Sequence, residues 1–240
     1  MSQRFELLMD AGNGAQKAGD ILIQVIAAIG QHVFIEPLIP AEISPPKRTP
    51  YSMSGVVIRY SDDALRNIGN YSNWILVEHE ILLNRRLDDQ EYEEGATIFL
   101  DMADAKRSQD DYDAAIQRAR DAGLTVIPIH RSEEIDAFIT DLGGRGKNMS
   151  YLGIIAAVLD LPMDRIESVI RSQFAKLPDE VLQKNVDLSK TAYTWAKKEI
   201  TPQFQSPIAA RDHSFDTQVL LDGNTALAMG IIDAGIKLYS

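Results

Sequence analysis

The sequence contains no cysteine among its 240 residues. That absence excludes disulfides, thiolate-held iron–sulfur clusters and a cysteine nucleophile in this chain. Basic residues are outnumbered: 24 Lys and Arg against 35 Asp and Glu give a formal net charge of −11. A surface that reads phosphates needs clustered Lys and Arg, so nucleic acid is not expected as a partner. No apolar run approaches the ~20 residues of a membrane-spanning helix. Met1-Ser2-Gln3-Arg4 also lacks the basic, apolar, small-residue order of a secretory leader. A cytoplasmic location and no membrane partner are therefore expected. His32, His79, His130 and His213 are too scattered for a metal-ligand motif and are expected to be structural. Glu78-His79-Glu80 could bind a cation, but a structural role is the better reading. No Ser–His–Asp set or carboxylate pair follows from spacing, so no catalytic residue and no metal ligand is expected here.

What is present is ordinary for a globular chain: 45% apolar and 25% charged residues. The length suits one large domain, or one domain and part of another. Its organising stretch lies near the start. Phe5, Leu7, Leu8 and Met9 suit a buried strand, and glycines follow where that strand must end. Beyond the turn, Ala18, Ile21, Leu22, Val25, Ile26 and Ile29 recur at steps of three and four, one helical face, with Gly30 as the stop. Backbone N–H groups at such a corner sit at the positive end of the helix dipole and suit an anionic ligand or a carbonyl-rich one. Tight packing that excludes side chains produces the same corner. Gly12-x-Gly14 also opens the dinucleotide fingerprint, with Lys17 at its third glycine position and Glu36 placed roughly where a ribose-binding carboxylate would stand. A nicotinamide-dependent dehydrogenase is thus a weaker reading.

Residues 36–52 hold Pro37, Pro40, Pro45, Pro46 and Pro50, an extended loop longer than most connections. Lys47 and Arg48 make its tip cationic, as a solvated pair or as a counter-charge to an acidic ligand or partner. Strands are expected at 55–61, 74–77, 96–101 and 124–129, alternating with helices at 80–85 and 110–122. That alternation implies an α/β fold, a doubly wound and mostly parallel sheet, with ligands beyond the carboxyl ends of its strands. From Ser132 the pattern turns helical, at 133–142, 149–159, 164–174 and from Pro178 to Thr201. Gly146-Lys147-Asn148 enters the second of these, with Asn148 the expected N-cap and a possible ligand contact. Periodicity is lost from Pro202. The tail at 219–240 then suggests a strand, a turn, a helix apolar nearly all round and the first residues of another strand. Such a helix is normally buried, and nothing after it would bury it. The expectation is a main unit at 1–201, a linker at 202–218 and a truncated second α/β domain at 219–240, the chain having been cut or its remainder not included.

Several segments together resemble the gamma-type domain of the 2-oxoacid:ferredoxin oxidoreductases, fused to the start of the alpha-type domain. They are Gly12-Asn13-Gly14-Ala15-Gln16-Lys17-Ala18-Gly19, the proline loop from Ile39 to Arg48 with Ser54-Gly55-Val56-Val57-Ile58-Arg59, Gly146-Lys147-Asn148-Met149 with Leu152-Gly153, and Leu221-Asp222-Gly223-Asn224-Thr225-Ala226 with Gly235-Ile236-Lys237-Leu238-Tyr239-Ser240. The proline loop is similar to that of the 2-oxoglutarate-type fused subunits. Ala15 and Lys17 replace two loop glycines of the family, and Lys17 stands where it could meet a phosphate. The resemblance implies an enzyme that oxidatively decarboxylates a 2-oxoacid with coenzyme A, this portion being an assembly or coenzyme A-side domain without catalytic residues of its own. It implies thiamine diphosphate and Mg²⁺ held between alpha- and beta-type domains, iron–sulfur clusters outside this chain, a beta-type thiamine-binding subunit, ferredoxin as electron acceptor, and a homodimer of heteromers. The candidate cofactor-binding residues are Gly12, Asn13, Gly14, Gln16, Lys17, Arg48, Lys147, Asn148, Asp222 and Asn224. The isolated chain is expected to be inactive. A stand-alone nucleotide-binding or regulatory α/β module is the alternative.

Overall fold

The structure, a computed structural model, describes residues 2–42, 44–211 and 219–237. Its centre is a six-stranded sheet in the order β2-β3-β1-β4-β5-β6. These strands are β1 (Gln3–Asp10), β2 (His32–Leu38), β3 (Met53–Ser61), β4 (Ser72–Val77), β5 (Tyr92–Asp101) and β6 (Thr125–Ile129). The sheet is mixed. β1 pairs in parallel with β4, β4 with β5 and β5 with β6, whereas β3 runs antiparallel to both β1 and β2. The direction of winding therefore changes at β1.

Period-two alternation explains why β1 is central. Phe5, Leu7 and Met9 point into one apolar layer and Leu8 into the other. The first layer is closed by α1 (Ala15–Ala28), α5 (Lys147–Val158), α6 (Met163–Gln173) and α7 (Asp179–Glu199). The second is closed by α2 (Glu80–Asp89) and α3 (Gln109–Asp121). α4 (Glu133–Asp141) packs beside α7. Glu6 is the polar exception on β1. It is fully buried, with the Arg86 guanidinium 2.8 Å away and the Ser72 hydroxyl donating to it at 2.6 Å. Burial pushes its carboxyl above the ordinary value, against the pull of Arg86, Ser72 and Arg4.

α5 is apolar all round and runs through the first layer, with Met149 and every residue from Ser150 to Val158 buried. Gly153 permits this. A Cβ there would lie 2.2 Å from the carbonyl oxygen of Ser189 on α7. The stretch after α7 has no regular structure but is docked. Ser206 and Ile208 donate backbone hydrogen bonds to Val158 and Leu159 at 2.9 Å each, and the Phe204 ring packs edge-on against Trp74 and Phe99.

The tail departs from its expected pattern. Residues 219–222 form no strand; β-prone side chains become a strand only when they pair with one, and these pair with none of the six strands. A helix, α8 (Gly223–Asp233), follows, and none of its residues is buried. Leu238, Tyr239 and Ser240, where a further strand was expected to begin, lie outside the described residues, as does His213. Among the described residues no helix is long and apolar enough to cross a membrane.

Candidate functional site

The carboxyl ends of β1, β4, β5 and β6 share one edge of the sheet. The chain leaves β1 at Asp10, turns through Gly12 (φ +85°) and Gly14 (φ +89°) and enters α1 at Ala15. Only glycine holds such φ values without strain. α5 starts beside it in the same way. Its N-cap is Gly146 (φ +92°), so the expectation that Asn148 caps this helix is corrected: Asn148 lies inside the first turn. Its side-chain amide instead donates to the Gly14 carbonyl at 3.2 Å. A Cβ on Gly14 would sit 2.6 Å from that amide nitrogen. Two helix starts thus meet at one turn.

Neither start is neutralised. α1 and α5 have no side-chain cap and no acidic residue in the first turn. α2, α3, α4, α6 and α7 all carry an acidic first-turn residue. The positive ends of α1 and α5 are therefore left to face whatever approaches the edge.

Glu78, just past β4, is the hub behind them. Its buried carboxylate accepts from the Asp10 N–H at 2.8 Å, from the Asn13 amide at 2.8 and 2.9 Å, and from Lys147 Nζ at 2.7 Å. Lys47 Nζ donates to the other side of Asn13, at 3.1 Å. Asp10 is the second hub. It accepts from Ser52 Oγ at 2.5 Å and from the Arg48 N–H at 3.1 Å, and lies 3.1 Å from His79 Nε2. Burial raises its carboxyl, but those bonds from His79, Ser52 and Arg48 outweigh it and hold the group below its ordinary value. Asp101, at the end of β5, is buried with Arg131 and the Tyr151 hydroxyl, each 2.5 Å away. Burial lifts its carboxyl above the usual range in spite of both partners.

Among the expected residues, Gly12, Asn13, Gly14, Lys147 and Asn148 come together here. Gln16 and Lys17 open the side of α1, where Gly12, Gly14, Gln16, Lys17, Pro40 and Glu42 line a cleft of about 430 Å³. Lys17 is half-exposed, with its Nζ 3.7 Å from Asp20. Arg48 is paired with carboxylates: Glu80 at 2.5 Å and Asp104 at 3.4 Å hold its guanidinium, which is 24% exposed. Asp222 and Asn224 stand apart from the turn. Asp222 caps α8 by accepting from the Thr225 N–H at 2.9 Å and hydroxyl at 2.5 Å, and it borders a second cleft, of about 780 Å³, that Gln16 also lines. Glu36 cannot serve as a ribose carboxylate beside β1, because β3 lies between β1 and β2. Sequence reasoning set Glu78 aside as part of a Glu-His-Glu triplet. Its signal was its position, immediately past an apolar strand. Among the described residues no group of His, Asp and Glu is arranged to hold a metal ion.

The fold is a doubly wound α/β unit in which two glycine-capped helix starts converge where the winding of the sheet changes. The sequence model of the pyruvate ferredoxin/flavodoxin oxidoreductase family matches residues 10–195, and the chain belongs to that family. It is 24% identical over 239 residues to the 2-oxoglutarate oxidoreductase subunit KorA of Mycobacterium tuberculosis, covering 94% of this chain and 36% of the relative. Its fold is similar to the 2-oxoglutarate:ferredoxin oxidoreductase of Magnetococcus marinus, solved with 2-oxoglutarate, coenzyme A and succinyl-CoA, at TM-score 0.76 and 19% identity over 96% of this chain and 37% of that one. The pyruvate oxidoreductase subunit PORC of Thermotoga maritima matches at TM-score 0.56 and 19% identity, over 80% of this chain and 96% of that subunit. The chain therefore spans about a third of the longer relatives.

Proposed function

We propose that this chain is the gamma-type unit, followed by the opening of an alpha-type domain, of a 2-oxoacid:ferredoxin oxidoreductase acting on 2-oxoglutarate. In the assembled enzyme the oxoacid is oxidatively decarboxylated, its acyl group passes to coenzyme A and its electrons to ferredoxin. Thiamine diphosphate with Mg²⁺ supplies the decarboxylation chemistry, held with a beta-type subunit, while iron–sulfur clusters elsewhere carry the electrons. On this reading the thiamine group lies outside the described residues of this chain. Asp222 is committed to Thr225, and the described residues assemble no metal-ligand set.

They do suit coenzyme A. One observation carries the reading: the unneutralised starts of α1 and α5 meet at Gly14, beside a cleft bordered by Lys17. Free N–H groups there would take a phosphate of coenzyme A, and Lys17 would add charge from the rim. Lys147 and Asn148 do not line the cleft; they support the turn beside it, through Glu78 and the Gly14 carbonyl. Both relatives named for 2-oxoglutarate favour that substrate class.

Calorimetric titration of the full chain with coenzyme A tests the site. Gly14→Ala must strain a left-handed backbone and displace Asn148, so it is expected to weaken binding by about tenfold or more. Pantetheine, which lacks the phosphates, is expected to bind far more weakly than coenzyme A. Equal affinity for the two, or no binding of coenzyme A, ends this reading. In the assembled enzyme, coenzyme A-dependent dye reduction with 2-oxoglutarate rather than pyruvate tests the substrate.

A further inference from the structure

The proline loop forms the far wall of the glycine-turn cleft, through Ile39, Pro40, Ala41 and Glu42. Four prolines at 40, 45, 46 and 50 remove backbone donors from it, and none of its described residues beyond Leu38 and before Met53 belongs to a strand. Its attachment has to come from side chains and from a few N–H groups. Arg48 gathers most of that attachment. Its backbone is left-handed (φ +55°), a conformation a non-glycine residue holds only where its surroundings impose it. In that conformation the Arg48 N–H lies 3.1 Å from both oxygens of Asp10, at the end of β1. The guanidinium reaches the other way, to Glu80 at the start of α2 and to Asp104 beyond β5. Glu80 and Asp10 are both buried, so these bonds are made largely out of water. Next to Arg48, Ser52 Oγ donates to Asp10 at 2.5 Å, which closes the clip.

A cation meant for a ligand would keep its donors open at the cleft. Both terminal nitrogens of Arg48 are instead turned to carboxylates, and Arg48 is not among the residues lining the cleft. We propose that Arg48 is a positioning residue: it clips the proline loop to the carboxyl edge of the sheet and thereby holds the wall against which coenzyme A is bound. The proposal deepens the coenzyme A reading and rests on it for the identity of the ligand. The clip itself stands on geometry alone.

The test compares the full chain with Arg48→Gly, which keeps the left-handed backbone and loses the guanidinium, with Arg48→Lys, and with Glu80→Gln. Three measurements are made on each: amide hydrogen exchange at residues 41–52, the urea unfolding midpoint, and titration with coenzyme A. Arg48→Gly and Glu80→Gln are expected to speed exchange in the loop by about tenfold while exchange in α5 is unchanged, with a comparable loss of coenzyme A affinity. Arg48→Lys, which keeps the charge, restores part of both. Loop exchange that stays at the wild-type rate in Arg48→Gly overturns the proposal. So does lost coenzyme A binding with an unchanged loop, which would make Arg48 a direct ligand. A loosened loop in a chain whose wild type binds no coenzyme A supports the clip and removes the coenzyme A reading instead. If Arg48→Gly does not fold, Glu80→Gln carries the same comparison, since it removes the charge and keeps the volume.

Discussion

α5 and α8 are nearly the same kind of helix in sequence, short and apolar on every side. In the structure they are opposites. Ten of the twelve residues of α5 are buried, and none of the eleven in α8. Leu227, Met229 and Ile232 of α8 are 56%, 54% and 76% exposed. The start of α5 is tied to the sheet by Lys147 on Glu78 and Asn148 on Gly14, whereas the cap of α8 is local, Asp222 on Thr225. An all-round apolar helix states that it is to be enclosed; it does not name the layer that encloses it. For α5 that layer is α1, α6, α7 and the sheet. For α8 we propose an alpha-type domain, the part of the longer relatives that this chain does not span.

The contrast can be broken most forcefully in α5. Leu152→Ala should cost about 2–5 kcal/mol in urea unfolding, the range for an emptied core position. Leu227→Ala in α8 should stay within about 0.5 kcal/mol, as an exposed substitution does. Equal effects would refute the difference. Gly153→Ala comes next, at about 3 kcal/mol, because its new methyl meets the backbone of Ser189 rather than a side chain able to move. Gly230→Ala meets nothing and should only raise the helicity of α8, by at most about 1 kcal/mol of propensity. Glu78→Gln should cost about 1–3 kcal/mol by weakening three attachments at once, including the anchor of α5. Asp222→Ala should leave the main unfolding transition where it is and loosen α8 alone.

The smallest effect is the dependence on acid. Asp10 has a folded-state pKa below its ordinary value of 3.8, so its contribution is present above that value and is lost as the pH falls through the lowered one. Asp101 and Glu6 act in the opposite sense. Their raised values mean that ionising them costs stability as the pH climbs from the ordinary range through the raised one. Asp10→Asn should therefore be less stable than wild type at pH 7, with the gap narrowing by pH 3. A gap that widens in acid would show that Asp10 is not held as a carboxylate.

Much of this molecule was legible from its residues. Alternation along β1 and the three-and-four spacing of α1 determine which faces are buried, so both elements and the turn between them follow directly. The family resemblance likewise followed from motifs, most specifically the proline loop and Asp222–Ala226, with the start of α5 and the glycine turn beside them. Side-chain partners were not legible. Nothing in Glu78-His79-Glu80 states that Glu78 will meet Lys147, sixty-nine positions away. Lys47-Arg48 looks like a solvated tip until the loop folds back onto Asp10 and Glu80. The antiparallel β3 was also hidden, because local pattern carries no strand direction, and it is β3 that separates Glu36 from the turn. The strand expected at the start of the tail failed for a related reason, since strand propensity becomes structure only when a partner pairs with it.

Amide hydrogen exchange of the whole chain tests the central comparison most directly, because it reports α5 and α8 in one sample. α5 is expected to be protected to nearly the full unfolding free energy. α8, an isolated helix of eleven residues, should exchange close to the rate of an unstructured peptide. Protection of α8 comparable to that of α5 would mean that this chain encloses the helix by itself, and the assignment of the tail to a second domain would be contradicted.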